Sequence, residues 1–374
     1  MRDLTGLAVI ALALVGCGPS LGDIGYPALP GPAPDTEVVA VSSAIASVDH
    51  PVFYYRDPDH PNRLIAYDWD GMRRGAIDVT ASEPYGVYPT ADGRMLLLMH
   101  AHVVSGGQAV GKVANGKWAG DNRHLCVFLN QLGGPGMART RQIGPNSYQG
   151  INTPGTLFYQ TVGGPSRRVV DYGAFGPHGG PAILACSART DRAVIVQTFV
   201  ASQSDLEVLR LSDGQLISQG IARSASQPDG LVASADGTLL GEGSTASGWN
   251  PGGENFFVVR RLPDGQVLAH ITGGGIEAFS ADDSKVLVVQ YQNGGSQSGR
   301  YQTIDLATLR STWSAVLTPG TVRTRPGTGD FLVASRSWEL SKTRANGNDP
   351  FEDVWLVPAN GPARLLLQHV PPLE

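Results

Sequence analysis

His100 and His102, in the run MLLLMHAHVV, are the residues of this sequence that come nearest to metal-binding spacing. They alternate along a strand-like stretch and so share one face of it. Two imidazoles placed this way can chelate a metal, with His124 or His178 as a third ligand. The competing reading is a hydrogen-bonded strand end, and no H-E-x-x-H pattern accompanies the pair. Asp57-x-Asp59-x-x-Asn62 offers oxygen ligands in a turn. A calcium loop needs more oxygens at fixed spacing and a glycine within it, so a solvated turn accounts for this stretch. Gly18-Pro19-Ser20-Leu21-Gly22 matches the G-x-S-x-G form of a nucleophile elbow. That chemistry needs a strand-to-helix turn around the serine, and the Pro- and Gly-rich surroundings make the match a chance one. The glycine stretches Gly133–Met137 and Ile271–Glu277 lead into no helix pattern, so they lack the helix terminus that would cradle a phosphate. They read as connectors. No catalytic residue and no cofactor is assigned from the sequence.

Trp118, Trp249 and Trp338 fall in three long segments, Ser105–Asn122, Ser244–Asn255 and Ser337–Asp353. Aromatic side chains on exposed loops anchor proteins or sugars. The alternative is that each indole packs its own loop down. Cys126 and Cys186 lie in apolar, strand-like contexts, HLCVFL and AILACS. In an oxidising compartment they offer a disulfide, and otherwise two buried thiols. No C-x-x-C pair is present, which argues against redox or zinc roles.

The start of the chain bears on the compartment. An apolar run from Leu4 to Val15 is broken by Thr5 and Gly6. It is too short for a bilayer span of about 20 residues, and has the length of a signal-peptide core behind a weakly basic start. The run ends Leu14-Val15-Gly16-Cys17, which resembles the bacterial lipobox. That resemblance implies diacylation of the Cys17 thiol, cleavage before it and acylation of the new amine. Two or three acyl chains give durable membrane anchoring. Asp3 departs from the basic pattern. Gly18 stands where an Asp commonly retains Gram-negative lipoproteins at the inner membrane, so the resemblance points to the outer membrane of the cell envelope. The following Pro- and Gly-rich stretch reads as a tether. The expected organisation is therefore a signal peptide over 1–16, a lipidated cysteine and tether over 17–36, and one domain over 37–374.

Charged residues make up 16% of the 374-residue chain, with 48 Gly and 26 Pro. Few charges and many turn formers suit an all-β protein of short strands, because Gly and Pro are the poorest helix formers. Net charge is −5 and there is no Lys/Arg-rich run, which argues against nucleic acid as a partner.

The elements that must position any site come from a repeat. An apolar strand, an acidic or glycine turn and a second apolar strand appear in Gly86–Ala101 (GVYPTADGRMLLLMHA), Gly230–Ser244 (GLVASADGTLLGEGS) and Glu277–Gln292 (EAFSADDSKVLVVQYQ). Weaker versions cover Ile183–Val200 and Val322–Ser337. A second hairpin recurs around Asp70-Gly71, Asp213-Gly214, Asp264-Gly265 and Asn360-Gly361, and YQTIDLATLRSTWSAV does the same work around Ala307-Thr308. Asp-Gly and Asn-Gly favour tight turns because both central residues adopt positive φ. Asp191, Asp236, Asp282 and Asp330 stand 45, 46 and 48 positions apart. A four-stranded unit with this period is what a propeller blade shows, and a ring of such sheets buries faces that one sheet cannot.

The expected fold is thus an all-β propeller of about seven four-stranded blades, with six or eight as alternatives. Blade starts fall near Pro51, Pro84, Gly150, Pro181, Gln227, Gly274 and Gly320, and the first unit lacks an evident inner strand. Glu37–Ser47 (EVVAVSSAIAS) is the expected closing strand of the last blade. The units SADGTLLG, TADGRMLLL and SADDSKVLVV, each with its following hairpin, resemble the TolB-type and WD-repeat-like propellers of exported bacterial proteins. The Gly-His and Trp-Asp marks of true WD repeats are missing. All three Trp-bearing segments are expected between second and third strands, on one ring face. The functional expectation is a membrane-anchored module binding a protein or glycan. The alternative is a propeller enzyme of the cell envelope, of lactonase, lyase or quinone-dependent dehydrogenase type, whose axial residues converge from distant positions. Replacing Cys17 by Ala is predicted to move the protein from the membrane to the soluble fraction, read by fractionation and by loss of the acyl mass.

Overall fold

The computed structural model describes residues 36–60, 62–79, 86–99, 102–103, 109–131, 141–144, 147–149, 155–172, 182–200, 203–220, 231–244, 256–272, 275–291, 299–317, 320–336 and 351–371. Among them there is no helix, and the strands form a seven-bladed β-propeller.

The chain opens with β1 (Thr36–Ala40), then β2 (Val52–Arg56), β3 (Arg63–Asp68) and β4 (Arg73–Asp78), then β5 (Gly86–Pro89) and β6 (Met95–Met99). Strands β2-β3-β4 form blade 1, and β1-β6-β5 form blade 2. Next come β7 (His102–Val103), β8 (Ala109–Trp118), β9 (His124–Gln131), the small hairpin β10 (Arg141–Gly144) and β11 (Ser147–Gln149), then β12 (Gly155–Thr161) and β13 (Ser166–Tyr172). Blade 3 is ordered β7-β8-β9-β12-β13. The remaining four blades are regular. They are β14 (Ala182–Ser187) to β17 (Leu216–Gln219) by way of β15 (Arg192–Val200) and β16 (Gln203–Arg210), and β18 (Leu231–Ala233) to β21 (Val267–Thr272) by way of β19 (Leu239–Ser244) and β20 (Phe256–Arg261). The last two are β22 (Gly275–Phe279) to β25 (Ser311–Leu317) by way of β23 (Lys285–Tyr291) and β24 (Gly299–Asp305), and β26 (Val322–Thr324) to β29 (Arg364–Val370) by way of β27 (Phe331–Arg336) and β28 (Glu352–Val357). The first strands touch from blade to blade, β8 with β14, β14 with β18, β18 with β22 and β22 with β26, so they are the innermost and border the axis.

The second strand of each blade reads as a continuous apolar run because both its faces are covered. In β6, Leu96 and Leu98 pack towards blade 1 while Leu97 packs towards blade 3. In β23, Val286 and Val288 face blade 5 and Leu287 and Val289 face blade 7. Seven apolar clusters fill the seven interfaces, and the last closes the ring: Phe53, Tyr55 and Trp69 of blade 1 pack on Leu332, Val354 and Leu356 of blade 7. Polar contacts join that closure. Arg364 donates to Asp70 at 2.7 Å, and Arg323 donates to the Tyr54 carbonyl at 3.3 Å.

The turns between first and second strands share one chemistry. Thr90, Ser234 and Ser280 each donate a hydroxyl hydrogen bond to the aspartate two residues on, at 2.7, 2.7 and 2.6 Å to Asp92, Asp236 and Asp282. The same aspartates accept the amide two residues further along. Gly93 has φ 73° and stands so close to blade 1 that a Cβ would lie 2.5 Å from the Val52 carbonyl oxygen. Any larger residue there is strained twice, in backbone and in space.

Three expectations are corrected. The N-terminal strand does not complete the last blade: β1 pairs antiparallel with β6 in blade 2, Val38 opposite Leu97. The segment 105–122 is not an insertion between second and third strands, because it contains β8, a long strand of blade 3 that pairs between β7 and β9. The unit placed near Gly150 is not a blade of its own: β12 pairs with β9, so β12 and β13 are the outer half of blade 3. The first unit does lack an inner strand among the described residues, since β2 runs in the direction of a second strand.

Cys126 on β9 and Cys186 on β14 are joined, with Cα atoms 6.0 Å apart and 60 positions between them in sequence. The bond therefore clamps blade 3 to blade 4 through a buried cluster. Replacing Cys186 by Ala is predicted to lower stability by about 2–5 kcal/mol. Denaturant midpoints should fall for the variant, and reductant should lower the parent but not the variant.

Candidate functional site

Innermost strands meet at the axis, so residues far apart in sequence reach the same level there. Tyr88, Lys117, Val232 and Arg323 each stand two residues before the first residue of their turn (Thr90, Ala119, Ser234 and Arg325). In blades 4 and 6 a register shift opens a bulge, between Ile183 and Ala185 and between Ile276 and Ala278. Leu184 and Glu277 are the residues left over by these bulges, a device that re-aims a side chain. Among the residues of these first strands whose side chains are described, three are charged: Lys117, Glu277 and Arg323, one each from blades 3, 6 and 7.

Lys117 donates from Nζ to the Leu184 carbonyl of blade 4 at 2.6 Å. Its neighbour Trp118 points to the other side of β8 and donates from Nε1 to the Tyr88 carbonyl of blade 2 at 2.9 Å. Water reaches Lys117, yet surrounding protein desolvates it enough to lower its pKa. Arg323 bonds the Tyr54 carbonyl and lies 5.5 Å from the centre of the Tyr55 ring. Glu277 is half-buried, and desolvation pushes its carboxyl up to about 7. On the turn face, Asp283 is likewise raised to about 7, by burial first and then by the neighbouring Asp236, which is itself paired with Arg189 at 2.7 Å.

The residues singled out by sequence fare differently. Trp118, expected on an exposed loop, is half-buried at the end of β8 and packs with Leu97, Leu125, Val127 and Phe158. Its end of β8 carries the turn face, opposite to the face from which the connections 245–255 and 337–350 leave. Trp249 and Trp338 lie outside the described residues, as do Cys17, His100 and His178. The backbone of His102 lies in β7 opposite Gly111. His124 sits at the far end of β8, beyond the Trp118–Leu125 pair, roughly 20 Å along the strand from His102. His124 is bonded instead to Asp121 at 2.6 Å and stacks on Tyr159. Asp57 accepts the Asp59 amide at 3.0 Å, as a turn residue does. Among the described residues no three His, Cys, Asp or Glu side chains gather as metal ligands.

Sequence reading missed Lys117, Glu277 and Arg323. Their signal is positional: each precedes its blade's first turn by two or three residues, and only the blade alignment exposes that.

No protein-family model matches this sequence, and no curated protein sequence matches it significantly. Among solved structures the chain is similar to TolB and other β-propellers. TolB from Acinetobacter baumannii shares 14% identity at a TM-score of 0.44, covering 89% of this chain and 65% of that one. The chain thus spans about two thirds of that TolB chain. An oligogalacturonate lyase solved with manganese shares 10% identity at 0.44, over 86% of this chain and 83% of that one. The β-propeller domain of the trilobed protease from Pyrococcus furiosus shares 7% at 0.42, over 84% and 78%. Likenesses this distant carry no functional argument.

Glu277 gives a signed prediction. Its folded pKa of about 7 lies above the ordinary glutamate value of 4.5, so the folded state holds the proton more tightly. Ionisation costs nothing below about pH 4, where both states are protonated, and the cost is complete above about pH 7. Glu277→Gln should therefore stabilise the protein by about 1–3 kcal/mol near pH 8 and leave it unchanged near pH 4. Thermal melts across that range provide the check.

Proposed function

We propose that this is an exported, lipid-anchored propeller of the cell envelope that acts as a binding module for a protein or glycan. The observation that carries the binding role is topological. The long connections after Ser244 and after Arg336 leave the second strands of blades 5 and 7 at the same ring face, away from the shared aspartate turns. Long connections held by a rigid scaffold are where recognition concentrates. The buried Cys126–Cys186 disulfide supports export, because such bonds persist in oxidising compartments. The anchoring at Cys17 and the outer-membrane location rest on the lipobox resemblance.

A second reading, a propeller enzyme, is favoured by one observation: the carboxyl of Glu277, on an innermost strand, titrates near neutral pH, where proton-transfer groups are poised. Stoichiometric calcium or zinc in the purified protein, or turnover abolished by Glu277→Gln, would support it.

The binding role is tested by crosslinking in native membranes followed by mass spectrometry. A reproducible partner is expected with the parent chain, and its loss with a chain in which residues 246–254 are replaced by a short Gly/Ser linker. Capture of the same partner by the shortened chain would remove the loop face from the reading.

A further inference from the structure

The first turns of blades 2, 3, 5 and 6 each hold a left-handed residue three positions after their first residue. These are Gly93, Asn122, Gly237 and Asp283, with φ of 73°, 55°, 68° and 57°. Glycine takes such a backbone freely, and Asn and Asp are the side chains that tolerate it. Asn122 and Asp283 reach back to the turn aspartate of the preceding blade. Asn122 of blade 3 donates from Nδ2 to Asp92 of blade 2 at 3.0 Å. Asp283 of blade 6 stands in the equivalent place, within hydrogen-bond reach of Asp236 of blade 5. The first contact joins an amide to a carboxylate. The second joins two carboxyl groups, which bond only through a proton.

That proton has a definite seat. Asp236 is already well supplied with donors. Its Oδ1 accepts the Ser234 and Thr238 hydroxyls at 2.7 and 2.6 Å and the Thr238 amide at 2.9 Å, and its Oδ2 accepts Arg189 of blade 4 at 2.7 Å. Burial opposes its charge, but these bonds hold the carboxyl below the usual range. Asp283 lacks such support: its Oδ1 is buried, and no N–H or O–H group among the described residues donates to it. The charged groups its carboxyl faces are Asp236 of blade 5, Arg189 of blade 4 and Asp282 of its own turn.

We propose that Asp236 and Asp283 form a proton-operated clasp between blades 5 and 6, closed when they share a proton and forced apart when both are ionised. Burial, and then the charge of Asp236, push the Asp283 carboxyl up to about 7, so the clasp works near neutral pH. The folded state holds this proton more tightly than the unfolded chain, where an aspartate has its ordinary value of 3.8. Ionisation therefore costs nothing below about pH 4, and its cost is complete above about pH 7.

The test melts the full chain bearing Cys17→Ala from pH 4 to pH 8, with and without Asp283→Asn. The substitution keeps the left-handed backbone and copies the Asn122 contact. Its melting temperature relative to the parent should rise by about 2–5 °C across that range. Glu277 is present in both chains and cancels from the difference. Asp283→Gly, which follows blades 2 and 5, should show the same trend. Asn122→Asp creates a carboxyl pair between blades 2 and 3, and should destabilise near pH 8 but not near pH 4. Hydrogen exchange locates the effect: at pH 8 the turns Ser234–Leu239 and Ser280–Lys285 should be better protected with Asp283→Asn than in the parent, and equally protected near pH 4. Differences from the parent that stay flat with pH for both Asp283 variants overturn the clasp. So does Asn122→Asp if it destabilises equally at both ends of the range.

Discussion

No blade of this protein can bury its own faces. Each second strand presents apolar side chains to both sides, and a lone sheet would leave both sets in water. Fully burying one such Leu or Val is worth about 1.5–3 kcal/mol. The ring is the arrangement in which every face finds a neighbour, and the seven clusters, one per interface, are that condition met. Geometry at the axis follows from it. Because the sheets must pack face to face, their first strands converge, β8, β14, β18, β22 and β26 touching in turn, so residues far apart in sequence border one axis.

Closure is where this ring is unusual among its own interfaces. The junction of blades 7 and 1 is joined by Phe53, Tyr55 and Trp69 against Leu332, Val354 and Leu356, with Arg364 and Arg323 bonding across. The N-terminal strand is used elsewhere, as the third strand of blade 2 on β6. Blades 1 and 2 are thereby interleaved: the chain enters blade 2, builds blade 1 and returns to blade 2. The aromatic content of the 7–1 junction fits its role, since edge-to-face ring pairs such as Phe53–Trp69 add to burial.

Much of this was legible in the sequence, for local reasons. The Asp/Gly turns announce themselves because few residues accept their backbone, and the recurring Ser-x-Asp pattern at Ser234 and Ser280 is bonded inside the turn itself. The apolar runs mark strands covered on both faces. What misled was partnership. Glu37–Ser47 reads as a strand wherever it pairs, and nothing local says that Val38 lies opposite Leu97 and not in blade 7. Ala109–Trp118, rich in glycine and lysine, lacks the apolar run of its counterparts, so it read as a loop although it is a long strand of blade 3 paired with β9. That error took Trp118 for an exposed anchor and hid Lys117. The axial charges were illegible for the same reason: convergence at an axis is a property of the ring and not of any segment.

The interleaving of the first two blades decides how the ring closes, since β1 spent on β6 leaves the 7–1 junction to side-chain packing. Hydrogen exchange on a chain lacking residues up to Ala40 tests it directly. Loss of β1 should speed exchange in β6, at Met95–Met99, and leave β28 and β29 as protected as in the full chain. Faster exchange in β28 and β29 with β6 unchanged would place the N-terminal strand in the last blade and contradict the account.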